Sequence, residues 1–177
     1  MKKFLIVLGL LAVNTGYAQI VDSTYYGQIK AGMLKSEYDQ RISETRVRIM
    51  NDEYVLIPSF HRNEELTELD IESAPEALSD FSIIEKKMLS LYEVISTKYG
   101  RANTLALINE PGAIADGNTQ AISSWDIGLK HISIGARREG GKYIAVCNIY
   151  IKGYDEKLTD RDNAREQKAR VQAGTKF

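Results

Sequence analysis

The chain contains only one cysteine, three prolines, two histidines and one tryptophan among its 177 residues. A single cysteine excludes an intramolecular disulfide, and with it the class of disulfide-stabilised scaffolds. With 13 glycines and three prolines, the chain has too little of either for a collagen-like or low-complexity protein. Acidic and basic residues nearly balance, at 24 and 23, which gives no electrostatic case for a nucleic-acid partner. The composition, 44% hydrophobic and 27% charged, is that of one folded domain.

Long hydrophobic runs are also missing, and the longest, residues 4–13, follows a Met-Lys-Lys start. Together with small residues at Gly16 and Ala18, this matches the three parts of a secretory signal peptide cut between Ala18 and Gln19. The alternative is a membrane anchor, but ten helical residues span roughly 15 Å, about half of the hydrocarbon core. We therefore expect a signal peptide over residues 1–18 and a periplasmic or secreted mature chain without a membrane span.

The mature chain divides by composition into a domain and a tail. Removing residues 1–18 takes away two lysines, which changes the formal net charge from −1 to −3. Residues 19–152 are predicted to form a single α+β domain, whereas residues 153–177 are mostly charged or amide-bearing. Because a helix that is polar on every face has little to bury, we expect this charged tail to be partly disordered or helical. The alternative is that the charged tail folds into a helix when it binds a partner.

The clearest predicted element is a long amphipathic helix from about Pro75 to Tyr99. Apolar residues recur there at intervals of three or four, and Ser73 with Glu76 resembles a capping box. Gly100 is suited to ending the helix. Additional apolar positions beside the stripe favour a helix that lies on a sheet, with an oligomerising coiled-coil helix as the alternative.

Short strands flank this helix. Residues 130–137 and 142–151 alternate around a Gly-Gly turn and predict a hairpin, and Cys147 within it is expected to be buried and inert. Residues 46–49 and 54–57 predict another hairpin that Pro58 ends, and residues 59–72 show no regular pattern. With a short helix near residues 32–42, the predicted fold is α+β: a long helix on an antiparallel sheet built from hairpins.

The sequence contains none of the motifs whose residue spacing indicates a catalytic or cofactor-binding mechanism, such as phosphate-binding glycine loops, nucleophile elbows and paired Cys-x-x-Cys. We therefore predict no catalytic residue and no cofactor. The weak exception is His61 with Glu64 and Glu65, which are spaced to share one side of a helix and to hold a metal ion. The alternative is an exposed charged loop, which is the commoner use of such a segment.

Aromatic residues in the second half suggest a different kind of site. Trp125, Tyr143 and Tyr150 fall on predicted strands and would offer flat rings with polar rims to a sugar or a peptide. Packing in the core is the alternative interpretation of the same residues.

Residues 29–37, Ile-Lys-Ala-Gly-Met-Leu-Lys-Ser-Glu, resemble the Gly-Met helix opening of small outer-membrane assembly lipoproteins and β-lactamase-inhibitor-like modules. Lys98-Tyr99-Gly100 before a strand with Trp125 is similar to the passage from helix to sheet in that group. The resemblance covers about twenty residues, and the lipid-bearing cysteine of the lipoproteins is missing. It implies a binding module and transfers no site residue.

These observations predict an exported, non-catalytic binding or accessory module of the bacterial envelope or secreted fraction. Its expected partner is an envelope or secreted protein, and the sequence leaves the oligomeric state open. One alternative is a small exported metal-dependent or acid/base hydrolase that uses His61 and the nearby carboxylates. Another is a structural subunit that oligomerises through the long helix.

Overall fold

The structure is a computed structural model that describes residues 23–62, 64–106, 108 and 110–174. The predicted signal peptide, with its cleavage site between Ala18 and Gln19, lies outside the described residues. Within the described part of the chain, no helix is both long and apolar enough to cross a membrane.

Ten strands and three helices make up the described chain. The strands are β1 (Thr24–Tyr26), β2 (Ile29–Lys30), β3 (Arg46–Ile49), β4 (Asp52–His61), β5 (Glu65–Ser73), β6 (Glu76–Ala77), β7 (Thr104–Leu105), β8 (Thr119–Ile127), β9 (Lys130–Glu139) and β10 (Lys142–Ile151). The helices are α1 (Lys35–Arg41), α2 (Phe81–Tyr99) and α3 (Tyr154–Gly174), and short 3-10 turns span Leu78–Asp80 and Pro111–Ala113.

Eight of the strands form one antiparallel sheet. Its order is β3-β4-β5-β10-β9-β8-β7, and β6 pairs separately with β10. The remaining strands, β1 and β2, form a small hairpin of their own. This arrangement confirms the predicted α+β class, with α2 packed on a sheet that is built mainly from hairpins.

The β9–β10 hairpin is confirmed and forms the centre of the sheet. Its pairing runs from Lys142 opposite Glu139 to Ile151 opposite Lys130 without a register shift. Gly140 and Gly141 have φ values of 55° and 74°, a left-handed pair that suits the tight turn between two twisted strands.

Strands β4 and β5 correct the prediction for residues 58–72. Strand β4 continues through Pro58, which lies opposite Leu69 of β5. Because β3 pairs only with residues 52–55, β4 is an edge strand at Pro58. No neighbouring strand on that side needs the backbone N–H that proline lacks. A register shift after Ser59 also interrupts the alternation of apolar and charged residues in β5. Because of this interruption, the strand could not be recognised from its sequence pattern.

The long helix starts later than predicted. Glu76 and Ala77 pair with β10 as strand β6, and α2 begins at Phe81. The Ser73 hydroxyl accepts the Ala145 backbone N–H at 3.0 Å, so it belongs to the sheet and does not cap the helix. At the other end, Gly100 has φ 82° and donates its N–H to Ser96 O, as the predicted helix end requires.

The core lies between α2 and one face of the sheet, here called the inner face. Alternate residues of β10 point to this face, among them Tyr143, Cys147 and Ile149. They meet the buried side of α2, which includes Ile84, Met88 and Leu91. Cys147 is buried, as predicted, and burial raises the pKa of its thiol.

The opposite face of the sheet, the outer face, is more polar. Arg137 contacts Glu72 and lies 3.5 Å from Asp70, and Asn148 donates hydrogen bonds to Asp70 and Glu68. Burial raises the pKa of Glu68 and of Glu72, although the bonds from Asn148 and Arg137 oppose this rise. This face therefore carries a polar network in which the bonds from Arg137 and Asn148 offset part of the cost of burying the carboxyls.

Residues 154–174 of the charged tail form a helix in the structure. Helix α3 begins directly after β10 and buries Leu158, which is 4% exposed. Its later residues, 163–172, are exposed, and Arg62 contacts Glu166 among them. Contacts made between Tyr154 and Glu166 attach this helix to the rest of the domain.

Candidate functional site

A cavity of about 220 Å³ lies between α2, the inner face of the sheet and the β1–β2 hairpin. Its walls are mainly apolar side chains from five strands or their turns and from one side of α2. The lining residues are Tyr25, Tyr26, Gly27, Ile49, Ile71, Leu91, Val94, Ile95, Lys98, Tyr99, Ile132, Cys147 and Ile149.

The floor of the cavity follows from strand register. Cys147 lies opposite Ile71 of β5, and Ile149 lies opposite Ile132 of β9. Because neighbouring strands are in register, these four side chains point to the same face and form one apolar surface. All four are buried.

The helix wall follows from helical spacing. Leu91, Val94, Ile95 and Lys98 occupy positions i, i+3, i+4 and i+7 of α2, which lie along one side of a helix. Leu91 is buried, whereas Val94 is 45% exposed, so this wall runs from the core to the surface. The cavity is consequently open at its outer end.

The β1–β2 hairpin closes another side. The Tyr25 hydroxyl donates a hydrogen bond to Thr67 O at 2.6 Å, which ties the hairpin to β5. Burial raises the pKa of Tyr25, so the hydroxyl keeps its proton at neutral pH. Lys130 provides a second tie, because its ammonium donates to Thr24 O at 2.5 Å while the residue itself is fully buried.

Two lysine side chains approach the ring of Tyr99. The Lys98 ammonium is 4.9 Å from the centroid of the Tyr99 ring, within the range of a cation–π contact. The Lys130 ammonium is 5.4 Å from the same centroid and 3.3 Å from the Tyr99 hydroxyl. The cavity therefore has mainly apolar walls with one lysine, Lys98, among its described lining residues.

The reactivity of the lining side chains is limited by their burial and by their chemical type. The thiol of Cys147 is held in its neutral form by burial, which raises its pKa and removes the nucleophilic thiolate. Among the described lining residues there is no imidazole or carboxylate that would act as a general base. The cavity offers apolar surface and shape.

The three residues proposed as metal ligands are placed differently. His61 and Glu65 lie opposite each other on β4 and β5, and Glu64 lies in the turn between these strands. The ring nitrogens of His61 face α3, at 2.8 Å from Asp155 Oδ1 and 3.3 Å from Asp162 Oδ2. Across the described residues, no group of three or more His, Cys, Asp and Glu side chains is arranged to hold a metal ion.

Glu65 serves the attachment of α3 as well. Its carboxylate accepts hydrogen bonds from Arg161 at 2.5 Å and from the Tyr154 hydroxyl at 3.0 Å. Together with His61 and Arg62, which reach Asp162, it forms an ionic contact between the β4–β5 hairpin and the first three turns of α3. We call this contact the α3 clasp.

The α3 clasp predicts a local response to acid. The hydrogen bond from Arg161 lowers the pKa of Glu65. Burial opposes ionisation of Asp162, but the bonds from Arg161 and His61 outweigh it and lower that pKa too. A carboxyl with a lowered pKa stabilises the folded form above its ordinary pKa, and this contribution is lost as the pH falls through the lowered value. The clasp should therefore keep its contribution at neutral pH and lose it only when the pH falls below the ordinary carboxyl range of about 4 and through these lowered values.

The raised pKa values of Glu68 and Glu72 on the outer face work in the opposite sense, since their protonation favours the folded sheet. Hydrogen exchange measured as the pH is lowered stepwise from neutral, corrected for the intrinsic rate, should show α3 losing protection before β10 does. An Arg161→Gln variant should lose α3 protection already at neutral pH. Simultaneous loss in α3 and β10 would contradict this prediction.

The three aromatic residues proposed as a binding platform do not share a surface. Trp125 is 1% exposed and packs beside Tyr92 on the inner face, with ring centroids 5.5 Å apart. Tyr143 is buried against Phe81 on the same face. Tyr150 lies on the outer face beside His131. The rings of Trp125 and Tyr143 therefore belong to the core.

The cavity itself was not predicted from the sequence. Its floor comes from strands whose register no short pattern reveals. The one available signal was Tyr25-Tyr26-Gly27, an aromatic pair before a turn glycine, which indicates a hairpin with exposed rings.

Comparison with protein-family models, with curated proteins and with solved structures finds no match to this chain. The segment that resembles the Gly-Met helix opening, residues 29–37, forms β2, a turn and the first residues of α1. A function must therefore be argued from the geometry of the chain itself.

Proposed function

We propose that this protein is an exported, non-catalytic binding module that holds a small apolar molecule in the cavity between α2 and the sheet. The observation that carries the proposal is an open space of about 220 Å³ at a place where a helix and a sheet normally pack without a gap. Small-molecule sites are usually concave pockets with mostly apolar walls and an opening to the surface.

The volume limits the size of the ligand. An apolar cavity of about 150 Å³ accepts a benzene molecule, so this one has room for a single substituted ring or for an alkyl chain of roughly six carbons. Each buried methylene contributes about 0.8 kcal/mol, from which the cost of association is subtracted. We therefore expect dissociation constants on the order of 1 mM for simple probes.

The rival functions use residues that have other roles in the fold. The hydrolase alternative depends on His61, whose side chain is 9% exposed and held by two carboxylates of α3. The oligomer alternative depends on the apolar stripe of α2, and that stripe is buried against the sheet. Export rests on the signal-peptide pattern of residues 1–18.

The experiment is a titration of ¹⁵N-labelled protein with 1-hexanol, followed by NMR. The amides of residues 25–27 and 91–99 should shift in a saturable way. An Ile95→Trp variant, which fills the cavity from the partly buried side of α2, should weaken binding at least tenfold. Leu89→Trp is the matched control, since Leu89 is 56% exposed on the same helix and does not line the cavity.

Thermal unfolding of both variants verifies that each is folded. Saturable shifts confined to another region, or equal hexanol affinity in the two tryptophan variants, would rule the proposal out.

A further inference from the structure

The strong hydrogen-bonding groups around the cavity are mostly used by the fold itself. The Tyr25 hydroxyl donates to Thr67 O, and the Tyr99 hydroxyl accepts a hydrogen bond from the buried Lys130 at 3.3 Å. The Lys98 ammonium lies over the Tyr99 ring. A ligand that relied on one of these groups would compete with a contact that the folded chain already makes.

Tyr26 differs from these residues. It lines the cavity and is half-buried, and its hydroxyl has no hydrogen-bond partner among the residues that the structure describes. A phenolic hydroxyl both donates and accepts hydrogen bonds. Tyr26 can therefore bond to a ligand while the contacts of the fold remain intact.

The backbone of β1 explains why Tyr26 lines the cavity together with its neighbour. The side chains of successive residues in a regular strand point to opposite sides. Tyr25 and Tyr26 nevertheless both line the cavity, and the pairing of β1 with β2 shifts register between Thr24 and Tyr26. A strand irregularity of this kind redirects a side chain, and such irregularities are common beside active sites.

The position of Tyr26 determines how a ligand with one polar atom is oriented. The floor consists of three isoleucines and Cys147, all buried, and the thiol is the only side-chain group there that can hydrogen-bond, weakly. Tyr26 ends β1 and precedes the exposed turn residue Gly27. The apolar part of the ligand therefore lies on the floor, and its polar atom lies toward the hairpin.

We infer that the ligand is an uncharged molecule with an apolar body and one hydroxyl or carbonyl oxygen, and that this oxygen hydrogen-bonds to the Tyr26 hydroxyl. This inference rests on the proposed function, because it assigns a chemical class to the ligand of the same cavity. Among the described lining residues Lys98 alone carries a formal charge, and its ammonium is already held over an aromatic ring. A charged ligand end would lose water on binding without an equal gain from a counter-ion.

The test compares 1-hexanol with toluene, which also fits the cavity but has no hydrogen-bonding group, by NMR titration of the wild-type protein and of Tyr26→Phe. The substitution removes the hydroxyl and keeps the ring. Tyr26→Phe should weaken hexanol binding about threefold to tenfold, the range for one neutral hydrogen bond, and should leave toluene binding unchanged. Tyr150→Phe is the matched control, because Tyr150 is also half-buried but lies on the outer face, and it should leave both affinities unchanged.

The orientation of hexanol in the wild-type complex is an independent measurement. Intermolecular NOEs should connect the protons beside the hexanol hydroxyl to the Tyr26 ring, and the terminal methyl group to Ile132 and Ile149. The reverse orientation would overturn the inference even if Tyr26→Phe did not fold.

The possible outcomes separate this inference from the proposed function. If hexanol and toluene both bind in the cavity but Tyr26→Phe weakens neither or weakens both equally, the inference is wrong and the apolar site stands. Tighter binding of hexanoate than of hexanol would lead to the same conclusion. If neither hexanol nor toluene binds in the cavity, both the inference and the proposed function are wrong.

Discussion

Replacing Trp125 with alanine should lower the free energy of unfolding by about 3–5 kcal/mol, the range for removing a large buried aromatic side chain. The indole is almost completely buried, and its N–H donates a 2.9 Å hydrogen bond to Gly100 O at the end of α2. The substitution removes apolar contacts with Tyr92 and also leaves that carbonyl without its donor. Urea unfolding followed by far-ultraviolet circular dichroism measures the loss.

Tyr150 provides the matched control, since it was placed with Trp125 in the aromatic platform but lies half-buried on the outer face. Tyr150→Ala should cost less than about 1 kcal/mol, as is usual away from the core. Equal and small losses for the two variants would show that Trp125 is a surface residue, and the assignment of this ring to the core would then be wrong.

Replacing Arg137 with methionine should cost about 2–4 kcal/mol at pH 7, because it leaves the Glu72 carboxylate without its guanidinium partner. Glu72 is only 7% exposed, and its pKa is already raised by burial. The expected loss is somewhat below that of a fully enclosed pair because the Arg137 side chain is about a fifth exposed. Urea unfolding at several pH values measures it.

The pH dependence of this loss has a definite sign. Without Arg137, the folded-state pKa of Glu72 rises further above its unfolded value, so the missing stability returns as the pH falls and the carboxyl takes up a proton. The matched control is Arg46→Met, which breaks an exposed pair with Glu53 and should change stability by less than about 0.5 kcal/mol. A double variant, Arg137→Met with Glu72→Met, should recover most of the loss. Equal effects of Arg137→Met and Arg46→Met would contradict the prediction.

Much of the fold could be predicted because it depends on local patterns. The β9–β10 hairpin has a two-residue glycine turn between two alternating strands, and α2 has apolar residues at helical spacing up to Gly100. In both elements, turn chemistry and hydrophobic period agree with the burial that the fold requires.

The errors occur where tertiary contacts override the local pattern. Strand β5 carries three acidic residues on its outer face, and these contact Arg137 or Asn148, which lie more than 60 positions away. Glu76 follows Ser73 as in a capping box, yet it joins the sheet through pairing with Tyr143. Neither partner can be identified from the neighbouring sequence.

The candidate site was hidden for the same reason. Its cavity joins Tyr25 to Leu91 and Cys147, and only strand register and the packing of α2 bring these residues together. His61, in contrast, was selected for nearby carboxylates in the sequence, but its ring contacts Asp155 and Asp162, about 100 residues later. Titratable residues close in sequence were therefore a poor guide to the site.

The single cysteine has one further consequence. Cys147 is buried on the floor of the cavity beneath α2, so a folded molecule presents no thiol to another chain. Disulfide-linked dimers can form only from molecules that have opened their core. In an oxidising compartment, the fraction of disulfide-linked dimer would therefore report on the fraction of chains whose core has opened.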